Sequence, residues 1–434
     1  MKNPRYTAVE LLDKTFEKGS YSNIQLNHAL ESSDMNRSDK NLCTSLYYGV
    51  IERRITLDYI IGTLSTRPVA KLDMIILNIL RCGIYQLKFM DSIPDSAAVN
   101  ESVLLAKQFR KSSASGMVNA VLRNFIRREK SYKLPANKYK SLSVMYSAPE
   151  WLIKSLCADY GTEAMENLLA DALEKPPVTI RRNTLKCSES EFIDSMGDIS
   201  VTADEKIHDC FIVSGGSPAG TESFENGFFH VQDRASQLCC MALNPNENDR
   251  VLDICAAPGG KTFTMAEMMH GGIIYACDLH EKRVGLINSG AERLGLMNIR
   301  TMAGDASVYN AELPKFSKIL CDVPCSGVGV IRRKPEIKYK NPSDFEKLPE
   351  IQYSILENAL KYLEVGGELV YSTCTLRRAE NDDVIDKLLK NHPETEPVNF
   401  LENMGEPFGG YKASVFPKYF GSDGFFISKI RRVR

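Results

Sequence analysis

The chain has few histidines and no stretch able to cross a membrane. Six histidines in 434 residues, with no Cys-x-x-Cys pair, leave no spacing suited to a structural zinc site, and no metal is expected. No apolar run approaches the roughly 18 residues of a membrane span. The longest, such as Met74–Leu80, have the length of a helix or a strand, and Met1–Glu10 has no apolar signal core. The 12 cysteines therefore read as thiols in a reducing compartment. The expectation is a soluble cytoplasmic monomer without membrane association. There is no internal repeat and no low-complexity stretch, and hydrophobic and charged fractions of 43% and 25% exclude disorder and fibrous repeats.

The length suits two or three domains. Charge is unevenly shared: the net value is −1, yet the first 140 residues carry 22 Lys and Arg against 13 Asp and Glu. Such a basic front suits a phosphate backbone, although scattered charge also serves as a solvated surface. From Tyr6 to about Glu129 apolar residues recur at three and four, which predicts an all-helical domain over 1–135. Asp95 and Ser96 are candidate N-caps, and Ser115 and Gly116 punctuate the next helix. Beyond Arg123, Arg127, Arg128 and Lys130 the cations continue through Lys133, Lys138 and Lys140, a candidate backbone-contacting patch.

Over 140–235 the texture changes to a small α+β module, with a helix at 149–159 and strands at 177–180 and 210–214. From Arg250 onward strands at 251–255, 273–278, 299–303, 318–322, 367–372 and 425–430 alternate with helices. That rhythm predicts a doubly wound, Rossmann-like α/β domain over 236–434 with a largely parallel sheet.

The first of these strands runs into Ala256-Ala-Pro-Gly-Gly-Lys-Thr262. Gly259 and Gly260 lack the Cβ that would hold a ligand off the backbone at a helix start. The second strand ends at Asp278, where a carboxylate can accept from both ribose hydroxyls, so a nucleoside-bearing cofactor is expected. The turn is neither Gly-x-Gly-x-x-Gly nor a phosphate loop. Asp253 entering an Ala/Pro/Gly turn fits S-adenosylmethionine better, and Asp305 closes the third strand within reach of an adenine amino group.

Strands four and five end in Asp322-Val-Pro-Cys-Ser-Gly327 and Ser372-Thr-Cys-Thr375. Ligands bind outside the carboxyl ends of parallel strands, so Cys325 and Cys374 are expected to share one cleft, while the other ten cysteines read as inert. A thiol beside a methyl sulfonium suits C5 methylation of a pyrimidine. A thiolate adds at C6, which makes C5 nucleophilic, and the sulfur is later eliminated. Asp322 can bond the cytosine N3/N4 edge.

These motifs, with Glu380-Asn381 after the second cysteine, resemble the RNA cytosine-C5 methyltransferase family. Ala97-Ala-Val-Asn-Glu-Ser-Val-Leu-Leu-Ala-Lys107 resembles the NusB-type RNA-binding fold. The resemblance covers essentially the whole chain. It implies that Cys374 is the nucleophile and Cys325 assists release, and that Cys255, Ala256, Ala257, Pro258, Gly259, Gly260, Lys261, Asp278, Asp305 and Asp322 contact S-adenosylmethionine. It also implies an RNA partner, 16S rRNA or an assembling small subunit, with tRNA permitted by the motifs alone. DNA methylation through Cys325 and a noncatalytic RNA-binding scaffold are the rival readings. Arg181-Arg-Asn-Thr-Leu-Lys186 and Gly227–Ser236 match family segments as RNA contacts or as packing, and Arg332-Arg-Lys-Pro-Glu336 is expected to face a phosphate backbone. Pro417-Lys418 departs from the family's frequent Pro-His.

Overall fold

The computed structural model describes residues 3–18 and 23–434, so the beginning of the Met1–Glu10 stretch lies outside the described residues. The chain forms two compact units, one reaching to Ala158 and including Lys334–Lys340, the other made of Asp159–Arg333 and Asn341–Arg434.

The first unit is helical, as the periodicity predicts: Pro4–Lys18, Asn23–Glu31, Arg37–Glu52, Arg54–Leu64, Met74–Phe89, Asp95–Gln108, Ser115–Arg127 and Lys138–Tyr146. Its hub is Met74–Phe89, whose faces are buried nearly all round. Ile79, Leu80 and Ile84 pack with Leu46, Leu57, Leu122 and Phe125. Three polar side chains on this helix are buried because each has a partner: Arg81 holds both carboxylate oxygens of Asp58 at 2.7 Å, Asn78 accepts from Arg81 at 2.8 Å, and Gln86 accepts from Arg5 at 2.7 Å.

Asp95 corrects an expectation. The helix begins after Pro94, so Asp95 is its first residue and caps nothing; its carboxylate pairs with Lys130 at 2.7 Å. Ser115 likewise opens its helix behind Ala114. A second correction concerns 332–336, read as phosphate-facing. Pro335–Tyr339 forms a short 3-10 turn packed into this unit. There Lys338 is 1% exposed and donates to the Glu52 carbonyl at 2.8 Å, and burial lowers its pKa to about 7.

The expected helix after Pro149 runs from Glu150 in the first unit to Asp171 in the second, broken at Gly161 (φ 84°, ψ 170°). The small module is an antiparallel sheet ordered β2-β3-β1-β4, from β1 (Val178–Arg182), β2 (Ser200–Ala203), β3 (Cys210–Ser214) and β4 (Phe229–Val231). Strands β2 and β4 were not legible, being three or four residues long. Ile180, Phe192, Phe211 and Phe229 make its core.

The large sheet contains β5 (Arg250–Asp253), β6 (Ile273–Asp278), β7 (Ile299–Ala303), β8 (Phe316–Asp322), β9 (Leu363–Thr373), β10 (Thr395–Pro397), β11 (Lys412–Val415) and β12 (Phe425–Arg432). Its order is β7-β6-β5-β8-β9-β12-β10, with β11 on β12. β5 to β9 are mutually parallel, and β12 pairs antiparallel with each of β9, β10 and β11. The order reverses between β5 and β8, and that switch point is where a ligand crevice opens. Register sets Asp253 beside Leu320, and Asp322 beside Ser372.

Candidate active site

The carboxyl edge has two halves. In the first, the turn after β5 is fixed by its neighbour strand: the Ala256 amide donates to the Cys277 carbonyl at 2.7 Å, and the Ala257 amide to Asp278 at 3.2 Å. Asp278, expected at the end of the second strand to reach a ribose, also accepts from the His280 amide at 3.2 Å and pairs with Arg283 at 3.2 Å, so its carboxylate orders the neighbouring turn as well. Gly259 has φ 111°, and a Cβ there would stand 2.4 Å from the Phe263 ring. A Cβ on Gly260 would meet little, the nearest atom being Gln232 Nε2 at 3.9 Å, so open space borders the turn.

Asp253 lies deeper than the sequence suggests. It is 1% exposed, accepts from Thr262 Oγ1 at 2.6 Å, and leaves its other carboxylate oxygen without a protein donor. Burial raises its pKa to about 7. Asp305, by contrast, is exposed and held below the usual carboxylate range by the Ser307 hydroxyl and amide, at 2.7 and 2.9 Å. It rims a cavity of about 380 Å³ floored by Ile254, Cys277 and Met302 from the ends of three strands. Apolar walls with one polar rim suit a flat base.

Lys261 reaches across the switch point to Asp322 at 2.7 Å, and Ser372 donates to the other Asp322 oxygen at 2.8 Å. Burial alone would lower the Lys261 pKa, but the Asp322 charge more than offsets it and holds the ammonium protonated.

In the second half the two expected cysteines meet. Cys325 and Cys374, both partly exposed, have their sulfurs 3.2 Å apart, well outside the roughly 2.05 Å of a disulfide. The hydrogen bond with Cys374, then burial, then the charges of Cys374 and Glu380 push the Cys325 pKa well above the ordinary thiol value.

Three family models divide the chain: the NusB family over 2–127, a ferredoxin-like domain of the RsmF/B-like methyltransferases over 148–218, and 16S rRNA methyltransferase RsmB/F over 240–431. The probable ribosomal RNA small subunit methyltransferase B of Bacillus subtilis (strain 168) is 38% identical over 99% of this chain and 98% of its own. That of Synechocystis sp. is 33% identical over the full length of both. The chain belongs to this methyltransferase B family. A crystal structure of PH0851 shares the fold, with a TM-score of 0.82 over 99% of each chain at 23% identity. The helical front, the α+β module and the Rossmann-like domain with its mixed sheet thus match what the sequence led one to expect.

The cysteine half of the edge is held together by residues that had no assigned role. Gly329 donates to the Cys374 carbonyl at 3.0 Å and accepts from Gly424 at 2.9 Å, and a Cβ on Gly329 would lie 1.9 Å from the Gly424 carbonyl oxygen. Glu380, fully buried, accepts from the Ser326 amide at 2.8 Å, Gln352 at 3.0 Å and Arg377 at 3.0 Å. Asn381 accepts from Thr373 at 2.6 Å and donates to the Thr375 carbonyl at 3.0 Å. Glu380 and Asn381 stood in the motif without a function; Gln352 carries no local signal.

The remaining candidates are structural. Arg332 donates to the carbonyls of Gly421 and Ser422 at 3.2 and 3.1 Å, and Arg333 pairs with Asp423 at 2.5 Å and Asp233 at 3.1 Å. These two cations are neutralised within the protein, which corrects their reading as phosphate ligands. Arg181 pairs with buried Glu267 at 3.3 Å, Arg182 with Asp209, and Asn183 donates to the Gly227 and Leu294 carbonyls at 3.0 and 2.8 Å. Gln232 donates to the Gly260 carbonyl at 3.0 Å and His230 bonds Thr264 at 3.2 Å, so both family segments act as packing.

Proposed function

We propose that this chain methylates C5 of a cytosine in 16S rRNA, using S-adenosylmethionine, as a cytoplasmic monomer. The observation that carries the reading is the pair of sulfurs 3.2 Å apart at the ends of β8 and β9, across the switch point from an open glycine turn. The residues present fit the cofactor. Gly259 and Gly260 leave room at the turn, the 380 Å³ hollow suits adenine with Asp305 at its rim, and the unpaired Asp253 oxygen is a polar atom beside the turn. We assign Cys255 to Lys261, Asp278, Asp305 and Asp322 to holding it. When bound, S-adenosylmethionine supplies an electrophilic methyl group.

Cys374 attacks C6 of the cytosine, and the electrons of the C5–C6 double bond make C5 the nucleophile that accepts the methyl. Asp322, held by Lys261 and Ser372, accepts from the cytosine N4 amino group and so orients the ring for attack at C6. The C5 proton then passes to a base in the cleft and the C6–S bond breaks. Cys325, kept as a thiol, donates a hydrogen bond to the departing Cys374 sulfur and so speeds release. The basic front, 1–135, and the module at 140–235 bring RNA to the catalytic part, 236–434, and the base reaches Cys374 from a single-stranded or flipped position.

The test is methyl transfer from labelled S-adenosylmethionine to unmodified 16S rRNA and, separately, to bulk tRNA, with the product base mapped. Label at C5 of a single 16S cytosine supports the reading. Label on tRNA alone keeps the chemistry and changes the substrate, and label on neither points to the noncatalytic scaffold.

A further inference from the structure

Two thiols of the same chemical type face each other, and nothing in their spacing says which should carry the negative charge. One set of contacts singles out the Cys325 loop. The Cys325 loop is tied through the Ser326 amide to Glu380 Oε2 at 2.8 Å, and the Ser326 hydroxyl meets that of Thr375 at 2.9 Å. Gln352 donates to the same Glu380 oxygen at 3.0 Å and to the Pro324 carbonyl at 2.9 Å, so one carboxylate oxygen organises both sides of Cys325 in sequence. The other oxygen takes Arg377 at 3.0 Å from a more exposed position.

We propose that Glu380 is a positioning residue that divides the labour between the thiols: its buried carboxylate fixes the Cys325 loop and, as an anion beside it, leaves the charge of the pair on Cys374. This rests on the methyl-transfer reading above. A buried anion disfavours a second negative charge nearby, so Cys325 stays a neutral donor and Cys374 becomes the accepting thiolate. The direction in which Cys325 is pushed agrees, Glu380 being among its causes. The titratable and charged groups around Cys325 are Cys374, Glu380, Arg377, Tyr371, whose hydroxyl donates to the Glu380 carbonyl at 2.5 Å, and the Asp322–Lys261 pair that opens its loop. Among the described residues Arg377 is the one cation paired with Glu380, and it tempers its effect.

The experiment measures iodoacetamide alkylation of Cys325 by peptide mass spectrometry across pH, in full-length Cys374→Ser protein. Glu380→Gln keeps an acceptor for the Ser326 amide and removes the charge. It should lower the alkylation midpoint by about one pH unit, roughly a tenfold faster reaction below the midpoint. Arg377→Gln leaves Glu380 uncompensated and should slow alkylation about threefold. A purely structural role for Glu380 predicts no such opposed pair of shifts. An unchanged rate in Glu380→Gln, or a faster one in Arg377→Gln, overturns the proposal, and Arg377→Gln decides alone if Glu380→Gln does not fold. In parallel, Cys325→Ser enzyme with 16S rRNA and S-adenosylmethionine is digested and the RNA-linked peptide mapped. An adduct on Cys374 without the alkylation shifts overturns the role of Glu380. The shifts without any adduct overturn the methyl-transfer reading and keep the charge asymmetry.

Discussion

The two halves of the sheet's carboxyl edge are built by different means. The glycine-turn half is held mainly by short-range bonds: Asp253 to Thr262, Asp278 to the turn about twenty residues before it and to His280 just after, Asp305 to Ser307. The cysteine half is held by bonds between distant segments: Cys325 to Cys374, Ser326 to Glu380, Gly329 to Gly424, Arg333 to Asp233. A local turn is written where it folds, whereas a pair of loops is written in two places and joined only by topology.

The largest test of that contrast lies in the cysteine half. Cys374→Ser should lower turnover by about 10³-fold or more, while Cys325→Ser should accumulate a stable protein–RNA adduct visible as a shifted band under denaturing conditions. The reverse assignment of phenotypes would interchange the roles of the two thiols.

Next comes a comparison of glycines. Gly329→Ala drives a Cβ against the Gly424 backbone, which cannot rotate away, and should cost about 3 kcal/mol by thermal or urea unfolding. Gly259→Ala meets the Phe263 side chain, which can turn, and carries chiefly the strain of its positive φ, about 1–2 kcal/mol. Equal losses would remove the distinction between a rigid loop-to-loop contact and a local turn.

Asp253 supplies a smaller, pH-dependent effect. Its folded pKa, near 7, lies above the unfolded value, so the folded protein binds the extra proton between about pH 4 and 7. That contribution is fully present below pH 4 and lost as pH rises through 7. Asp253→Asn should remove the loss, on the order of 1–4 kcal/mol, read by comparing melting temperatures at pH 5 and pH 8 without cofactor. The smallest effect is expected at Ser307→Ala, which frees the exposed Asp305: S-adenosylmethionine affinity falls about fivefold by calorimetric titration with no change in melting temperature.

The same contrast explains what could be read in advance. The parallel strands were legible because their buried apolar runs end in turn signals, and two of them match residue for residue at 273–278 and 299–303, as does antiparallel β3 at 210–214. The thiol pair was legible because both cysteines follow strand ends. Glu380, Gln352, Gly329 and Gly424 had no such signal, since each owes its place to a partner 28 to 95 residues away. Arg332 and Arg333 misled for the same reason: a basic run looks like a surface until Asp423 and Asp233 are found beside it.

The turn at 334–340 has a consequence for how the chain is made. The helical unit ends at Ala158 in sequence but takes Lys338 and Tyr339 from far downstream, with Tyr339 bonded to Ser147 at 3.4 Å. During synthesis the helices emerge first and must wait for the ribosome to deliver 175 further residues of the other unit before their last buried side chains arrive. At 5–20 residues per second that delay is about 10–35 s. A fragment cut at Ala158 would be a protein permanently halted at that stage.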